Sequence, residues 1–229
     1  APRKRKSMPP RIERVLGEWL ASGARGIGEI LIAKNGNGYA LCHREDEAGA
    51  GLEVFSSPDD AATLAKLDEK GQYRPLKTAP NLRRGWRLEV ANLSALRLAV
   101  EGFYPGRLAT LTAWEGHGLT TTPLRATLNR QTGMYRAAAR VSDEEADAVI
   151  NRFCRSQGGE PGCLRIILWA RDETKARPSL RLPLDKFIAP IDQTGRGENM
   201  MPLLCQEACN LLVAEMRAVV KESTSPQAE

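Results

Sequence analysis

Four of the five cysteines fall into two close pairs, Cys154-x8-Cys163 and Cys205-x3-Cys209, with 41 residues between the pairs. Four thiols arranged in this way can converge on one soft metal centre. Any fold that uses them so must bring two distant stretches of chain together. The i, i+4 spacing of Cys205 and Cys209 puts both sulfurs on one face if the segment is helical. Pro202 suits the first turn of such a helix. Leu203, Leu204, Ala208, Leu211, Leu212, Met216, Val219 and Val220 continue it as an apolar stripe at helical spacing. The pattern predicts two thiolates in the first turns of a helix, where unpaired N–H groups and the positive end of the dipole favour anionic sulfur.

The eight residues between Cys154 and Cys163 include three glycines and one proline. Such a loop lets the backbone wrap closely round an inserted object and turn its N–H groups toward it. Structural zinc usually takes its ligands from tight Cys-x2-Cys knuckles, and neither spacing here is of that kind. A [4Fe–4S] cube is larger, so its ligands can be spread over a wide loop and a helix. The spacing favours the cluster, with zinc as the alternative. Arg152, Arg155 and Arg165 stand beside the first pair, and cations near a cluster ease its reduction by stabilising the more negative state. Cys42 lies apart, on a β-prone run, and reads as a small buried hydrophobe.

Compartment bears on the same choice. Residues 1–10 are basic with no apolar run behind them, which is not the pattern of a secretory signal. No apolar stretch is long enough to cross a bilayer. A cytoplasmic chain is expected, and there paired cysteines hold metal more often than they form disulfides. With 42% apolar and 27% charged residues the chain reads as a globular protein. The net charge of +5 includes a short cluster, Arg3, Lys4, Arg5 and Lys6, that looks like a solvated tail.

Periodicity and turn signals outline the elements. Residues 11–22 carry Ile12, Val15, Leu16, Trp19 and Leu20 on one helical face, with Gly23 placed to end the helix. Two β-prone runs flank Asn35-Gly36-Asn37-Gly38, a strong hairpin signal, and 52–55 could add a third strand. Ser57-Pro58-Asp59-Asp60 reads as a helix start, and Asn92 as the cap of a helix reaching Gly102. Residues 107–114 and 135–141 look β-prone. Ser142 and Glu145 form a capping box for a helix that places Cys154 at its C-terminal end. Strands are expected over 164–170 and 179–187. Without regular βαβ alternation this is an α+β arrangement: small antiparallel sheets with packed helices, and the metal centre between a Gly-rich loop and a C-terminal helix. The expected organisation is a basic tail (1–10), an N-terminal α+β module (11–80), a cluster-binding module (81–222) and a short tail (223–229).

Three segments together resemble a known group. They are Gly71-Gln72-Tyr73-Arg74-Pro75-Leu76-Lys77-Thr78-Ala79-Pro80-Asn81-Leu82-Arg83-Arg84-Gly85-Trp86, Phe103-Tyr104-Pro105-Gly106 and Arg130-Gln131-Thr132-Gly133-Met134-Tyr135, followed by the four cysteines. The group is the [4Fe–4S]-binding region found C-terminal to chelatase domains of the sirohydrochlorin/cobalt chelatase type. The cysteine layout is also similar to that of sulfite and nitrite reductases, which have a shorter first loop and a much longer chain. The resemblance implies cluster ligation by Cys154, Cys163, Cys205 and Cys209, and a link to tetrapyrrole metabolism. The chelatase half is not evident. That family uses histidines in a doubly wound domain, whereas this chain has only His43 and His117 and no βαβ series.

The expected function is therefore a redox or electron-transfer protein, or an accessory to a chelatase or reductase partner. A second reading has Arg125, Arg130, Tyr135 and Arg136, with Arg155 and Arg165, grip the carboxylates of a tetrapyrrole. A third makes the metal structural in a nucleic-acid-binding module. An aromatic content of 5% and the absence of a nucleic-acid motif count against it. No membrane partner is expected. No nucleophile–base set, phosphate-binding loop or catalytic base stands out, which leans away from an enzyme.

Overall fold

The computed structural model describes residues 11–23, 25–116, 118–119, 123–130, 132–154, 163–167, 169, 200–206 and 208–224. The basic tail, His117, the 155–162 loop with Arg155, and the strand expected over 179–187 lie outside them, as does the chain after 224. In chain order the first elements are α1 (Arg11–Ala21), β1 (Gly26–Ile27), β2 (Ile30–Asn35), β3 (Gly38–His43), β4 (Glu53–Phe55), α2 (Asp60–Leu64) and β5 (Trp86–Val90). Then come α3 (Leu93–Phe103), α4 (Arg107–Glu115), α5 (Leu124–Arg130), α6 (Met134–Ala138) and α7 (Asp143–Cys154). The last are β6 (Ile166–Ile167), β7 (Met200–Met201), β8 (Leu204–Cys205) and α8 (Asn210–Thr224).

The hairpin forms where the Asn-Gly signal lies, with Gly36 at φ 56° in the turn between β2 and β3. Along β2, β3 and β5 every second residue faces inward, so Ile30, Ile32, Leu41, His43, Trp86, Leu88 and Val90 are buried. Cys42 points the other way, opposite Leu31 and Arg87, and is half-buried rather than a core residue. The fold is α+β, but its main sheet is mixed, in the order β4-β5-β3-β2-β1-β7. The central pairs are antiparallel, while β4 lies parallel to β5 and β7 parallel to β1. Parallel neighbours need a crossover, and α2 with the irregular 65–85 segment supplies the one between β4 and β5. A Cβ on Gly26 would sit 1.8 Å from the Met200 sulfur, so the Met200 side chain packs into the space that glycine leaves where β7 lies along β1.

Two expected strands are helices. In α4, Leu108, Leu111 and Trp114 recur at helical spacing and are buried. Its β-branched Thr110 and Thr112 satisfy their hydroxyls on the carbonyls of Gly106 and Leu108, four residues back. In α6 the run Ala137, Ala138, Ala139 favours helix over strand, and Ala138 is fully buried. The capping box forms as expected: the Glu145 N–H donates to Ser142 Oγ at 3.2 Å, and the Ser142 N–H to Glu145 Oε2 at 2.9 Å. Asn92 Oδ1 accepts from the Ala95 N–H at 3.0 Å at the start of α3.

Two apolar cores result. The first joins the main sheet to α1–α4 and includes Trp86 stacked on Phe103, with ring centroids 4.9 Å apart. The second joins α5–α8 with Trp169 and Cys205. Residues 75–85, near the expected boundary between the two modules, contribute Leu82 to the first core and follow the buried Arg74. Residues 201–205 pass between the cores: Met201, Leu203 and Leu204 belong to the first and Cys205 to the second. Burying successive residues on opposite sides demands extended chain. That is why Cys205 lies in β8 and not in the helix its spacing suggests, and why α8 starts only at Asn210.

Candidate metal centre

Cys154 is the last residue of α7, and the Cys163 N–H donates to the Phe153 carbonyl at 3.0 Å. These ties hold the first pair at one neck of the chain. Three residues past Cys163, β6 begins and pairs in parallel with β8, with Ile167 opposite Cys205. Cys209 comes just before α8, and its carbonyl accepts the first helical bond, from the Val213 N–H at 3.1 Å. It therefore caps the helix, where the positive end of the dipole favours a thiolate. None of the five cysteines is in a disulfide.

The four thiols share one electrostatic environment. Burial pushes the Cys154 thiol up to about 12, and the charges of Cys163, Cys205 and Cys209 add to that rise. Burial alone would lower the Arg165 guanidinium. The field of Cys163 and Cys205, a hydrogen bond to Cys163 and the charge of Cys209 outweigh it, so the net shift is upward. Arg165 Nε donates to Cys163 Sγ at 3.2 Å. Arg107, at the start of α4, donates from Nη1 to the Leu204 carbonyl at 3.0 Å. Burial lowers it, and Arg165 adds to that fall against Cys205 and Cys163. Two half-buried cations thus stand against four sulfurs.

The donor set, thiols with a guanidinium hydrogen-bonded to one of them, has the chemistry that an iron–sulfur cluster takes. Among the described residues no three His, Cys, Asp or Glu side chains are gathered tightly enough to hold one ion. Tetrahedral zinc, with Zn–S near 2.3 Å, needs its sulfurs roughly 3.8 Å apart, whereas a cube of iron and sulfide spreads its ligands wider. Trp169 Nε1 is buried in the second core with no acceptor among the described residues. A buried donor without an acceptor is costly, and the sulfurs of a cluster would supply acceptors.

Residues 116–218 match the 4Fe-4S iron-sulfur cluster binding domain. The cofactor of the C-terminal half is a [4Fe–4S] cluster. Residues 15–117 match the DR2241 stabilising domain. No curated protein sequence matches the chain. Among solved structures it is similar to DR2241 from Deinococcus radiodurans, a multi-domain protein with structural similarity to chelatases and two additional novel domains. The TM-score is 0.71 at 27% identity over 95% of this chain. This chain spans 44% of that protein's length.

The other described candidate residues have these contacts. Arg125 is ion-paired with Asp143 and also donates to the Ala139 carbonyl at 3.4 Å. Arg130 and Arg136 are exposed, and Arg130 Nε bonds within its own helix to the Ala126 carbonyl. Tyr135 donates to Asn210 Oδ1, the residue after Cys209. Arg152 pairs with Glu215 at 3.0 Å on the exposed α7–α8 face.

Of the arginines read beside the first pair, Arg165 is the described one that contacts a cysteine. Sequence reasoning missed Thr78, Arg107 and Trp169. Arg107 and Thr78 lie 47 and 76 residues before Cys154, and only the meeting of the two halves brings them to the sulfurs. Thr78 does lie within the segment that carried the chelatase-associated resemblance.

Proposed function

We propose that Cys154, Cys163, Cys205 and Cys209 ligate the [4Fe–4S] cluster and that the chain is a one-electron redox module. The observation that carries this reading is where the fold puts the four thiols: Cys163 is tied back to the end of α7 through the Phe153 carbonyl, and the strand that follows it pairs with β8 with Ile167 opposite Cys205, four residues before Cys209. They lie in the half of the chain that matches the cluster-binding domain. When bound, the cluster supplies reversible one-electron storage.

The chain's own residues do the rest. Arg165 and Arg107 offset the negative charge of the thiolates, which favours the reduced state. The second core excludes water from Cys205. The helix start at Cys209 lends partial positive charge. The module serves as an accessory to a chelatase-type or reductase partner in tetrapyrrole metabolism, in a reducing, cytoplasmic setting. The likeness to DR2241 supports the chelatase association.

The test is iron and sulfide analysis of anaerobically isolated protein, with electron paramagnetic resonance after dithionite reduction. About four iron and four sulfide per chain, with a one-electron signal, is the expected result. A colourless protein holding about one zinc ion overturns the ligand reading. For the metabolic link, a carboxylated tetrapyrrole titrated onto the loaded protein should bind, and absence of binding removes that link.

A further inference from the structure

The cluster-binding half does not hold Cys163 by itself. Thr78, buried in the N-terminal half, places Oγ1 2.9 Å from Cys163 Sγ, and its carbonyl accepts from the Leu164 N–H at 2.8 Å. A metal-bound thiolate has no proton to give, so in the loaded protein the hydroxyl is the donor. Arg165 Nε is a second donor on the same sulfur, at 3.2 Å. One donor thus reaches Cys163 from each half of the chain.

The segment that delivers Thr78 is unusually well fixed for irregular backbone. Arg74, itself buried, donates to Asn81 Oδ1 at 2.9 Å and to the carbonyls of Ala65, Lys77 and Ala79 at 3.3, 3.2 and 2.5 Å. Its Nη2 also lies 3.4 Å from Glu29 Oε2. Glu29 accepts from the Leu82 N–H at 3.0 Å, and Lys77 Nζ donates to the Gly102 carbonyl at 3.1 Å. Residues on both sides of Thr78 are therefore pinned to the first core. A hydroxyl held this way keeps its position when the charge on the sulfur changes, which is the condition for electrostatic preorganisation.

We propose that the N-terminal half sets the reduction potential of the centre through the Thr78 hydroxyl, which makes Thr78 a positioning and tuning residue. This rests on the reading that Cys163 is a cluster ligand. The step concerned is uptake of one electron from an external one-electron donor, with no bond made or broken. A hydrogen bond to a ligand sulfur withdraws electron density and favours the reduced, more negative state. Removing it makes reduction harder.

The experiment is a dye-mediated redox titration of the anaerobically isolated full chain and of Thr78→Val, Thr78→Ala and Thr78→Ser, with iron and sulfide measured on each. Val and Ala should keep iron while the equilibrium constant for reduction falls about five- to tenfold. At 59 mV per tenfold for one electron, that is about 40–60 mV more negative. Ser should keep the parent potential. Equal potentials for Ala and Ser overturn the proposal, and so does loss of iron in all three variants, which would make Thr78 a packing residue. Cys163→Ser separates the two levels. If it retains full iron and the parent potential, the ligand reading fails. If it loses the cluster while Thr78→Val is unshifted, only the tuning role fails.

Discussion

The Cys163 N–H donates to the Phe153 carbonyl at 3.0 Å, which closes the chain at the two ends of the 155–162 segment. That bond and the Ile167–Cys205 register are local ties between the stretches that carry the four cysteines. The first makes neighbours of Cys154 and Cys163. The second carries the strand leaving Cys163 alongside the later cysteine pair. A 41-residue gap between the pairs is thereby spanned without a long-range disulfide.

Replacing a cysteine of this set should remove iron, and replacing Cys42 should not. Cys205 is buried in the second core, so Cys205→Ser both removes a soft ligand and leaves a hydroxyl among apolar side chains. Cys42 faces the outer side of the sheet, and its electrostatic neighbours are Asp46, Glu47, Arg87 and Arg25. Iron per chain after anaerobic isolation is the measurement. Full iron in Cys205→Ser would remove that residue from the ligand set.

The buried Glu29–Arg74 pair should be worth far more than any surface ion pair in the molecule. Both side chains are nearly inaccessible, and His43 Nε2 lies 3.5 Å from the same carboxylate. Arg74→Met leaves Glu29 buried without its main cation and strips the 74–82 segment of its donors. The expected cost is about 3–5 kcal/mol in urea unfolding. The double variant Glu29→Met/Arg74→Met should lose less than the sum of the single losses, because neither charge is then stranded. Strict additivity would mean that the two groups are not coupled.

Local signals with a chemical mechanism were legible in the sequence. The hairpin turn at Gly36, the Asn92 cap and the Ser142–Glu145 box each form as expected, because each depends on a few adjacent residues. What was not legible depends on the meeting of the two cores. Apolar Leu203 and Leu204 with Cys205 and Cys209 read as one helical stripe. Burial of Leu204 and Cys205 in different cores favours extended chain there instead, and only Cys209 keeps a helix-start position. The β-prone composition of α4 misled in the same way, because burial at Leu108, Leu111 and Trp114 overrode propensity. Thr78 and Arg107 carry no spacing signal toward the cysteines at all. Their role arises only from which side chains the first core presents at its border with the second.

Alkali should destabilise the cluster-free protein. Cys154 is pushed by burial, then by its three companion thiols, from an ordinary value near 9 up to about 12. Between those values the unfolded thiol ionises while the folded one stays protonated, so the folded state binds more protons and stability falls as pH rises. Burial, then the charge of Glu29, also pushes the Tyr104 phenol up, which adds a fall in the same direction above its ordinary value near 10. Denaturant midpoints at about pH 8 and pH 10.5 should therefore differ. Cys154→Ala should flatten part of that slope, and an unchanged slope would show that Cys154 does not ionise differently on unfolding.

Trp169 gives a way to see the cluster through the protein. Its indole N–H is buried with no acceptor among the described residues, in a core that contains Cys205 and is flanked by Cys154 and Cys209. Trp169→Phe removes this donor and some packing volume. In the cluster-free protein the lost volume destabilises, while removal of an unsatisfied donor partly offsets that loss. If a cluster sulfur accepts this N–H in the loaded protein, the substitution forfeits both packing and a charge-assisted hydrogen bond. The loaded form should lose about 1–2 kcal/mol more than the cluster-free form. Thermal or denaturant unfolding of both forms, parent and variant, measures the difference. Equal losses would assign Trp169 to packing alone and leave its indole N–H without a part in holding the cluster.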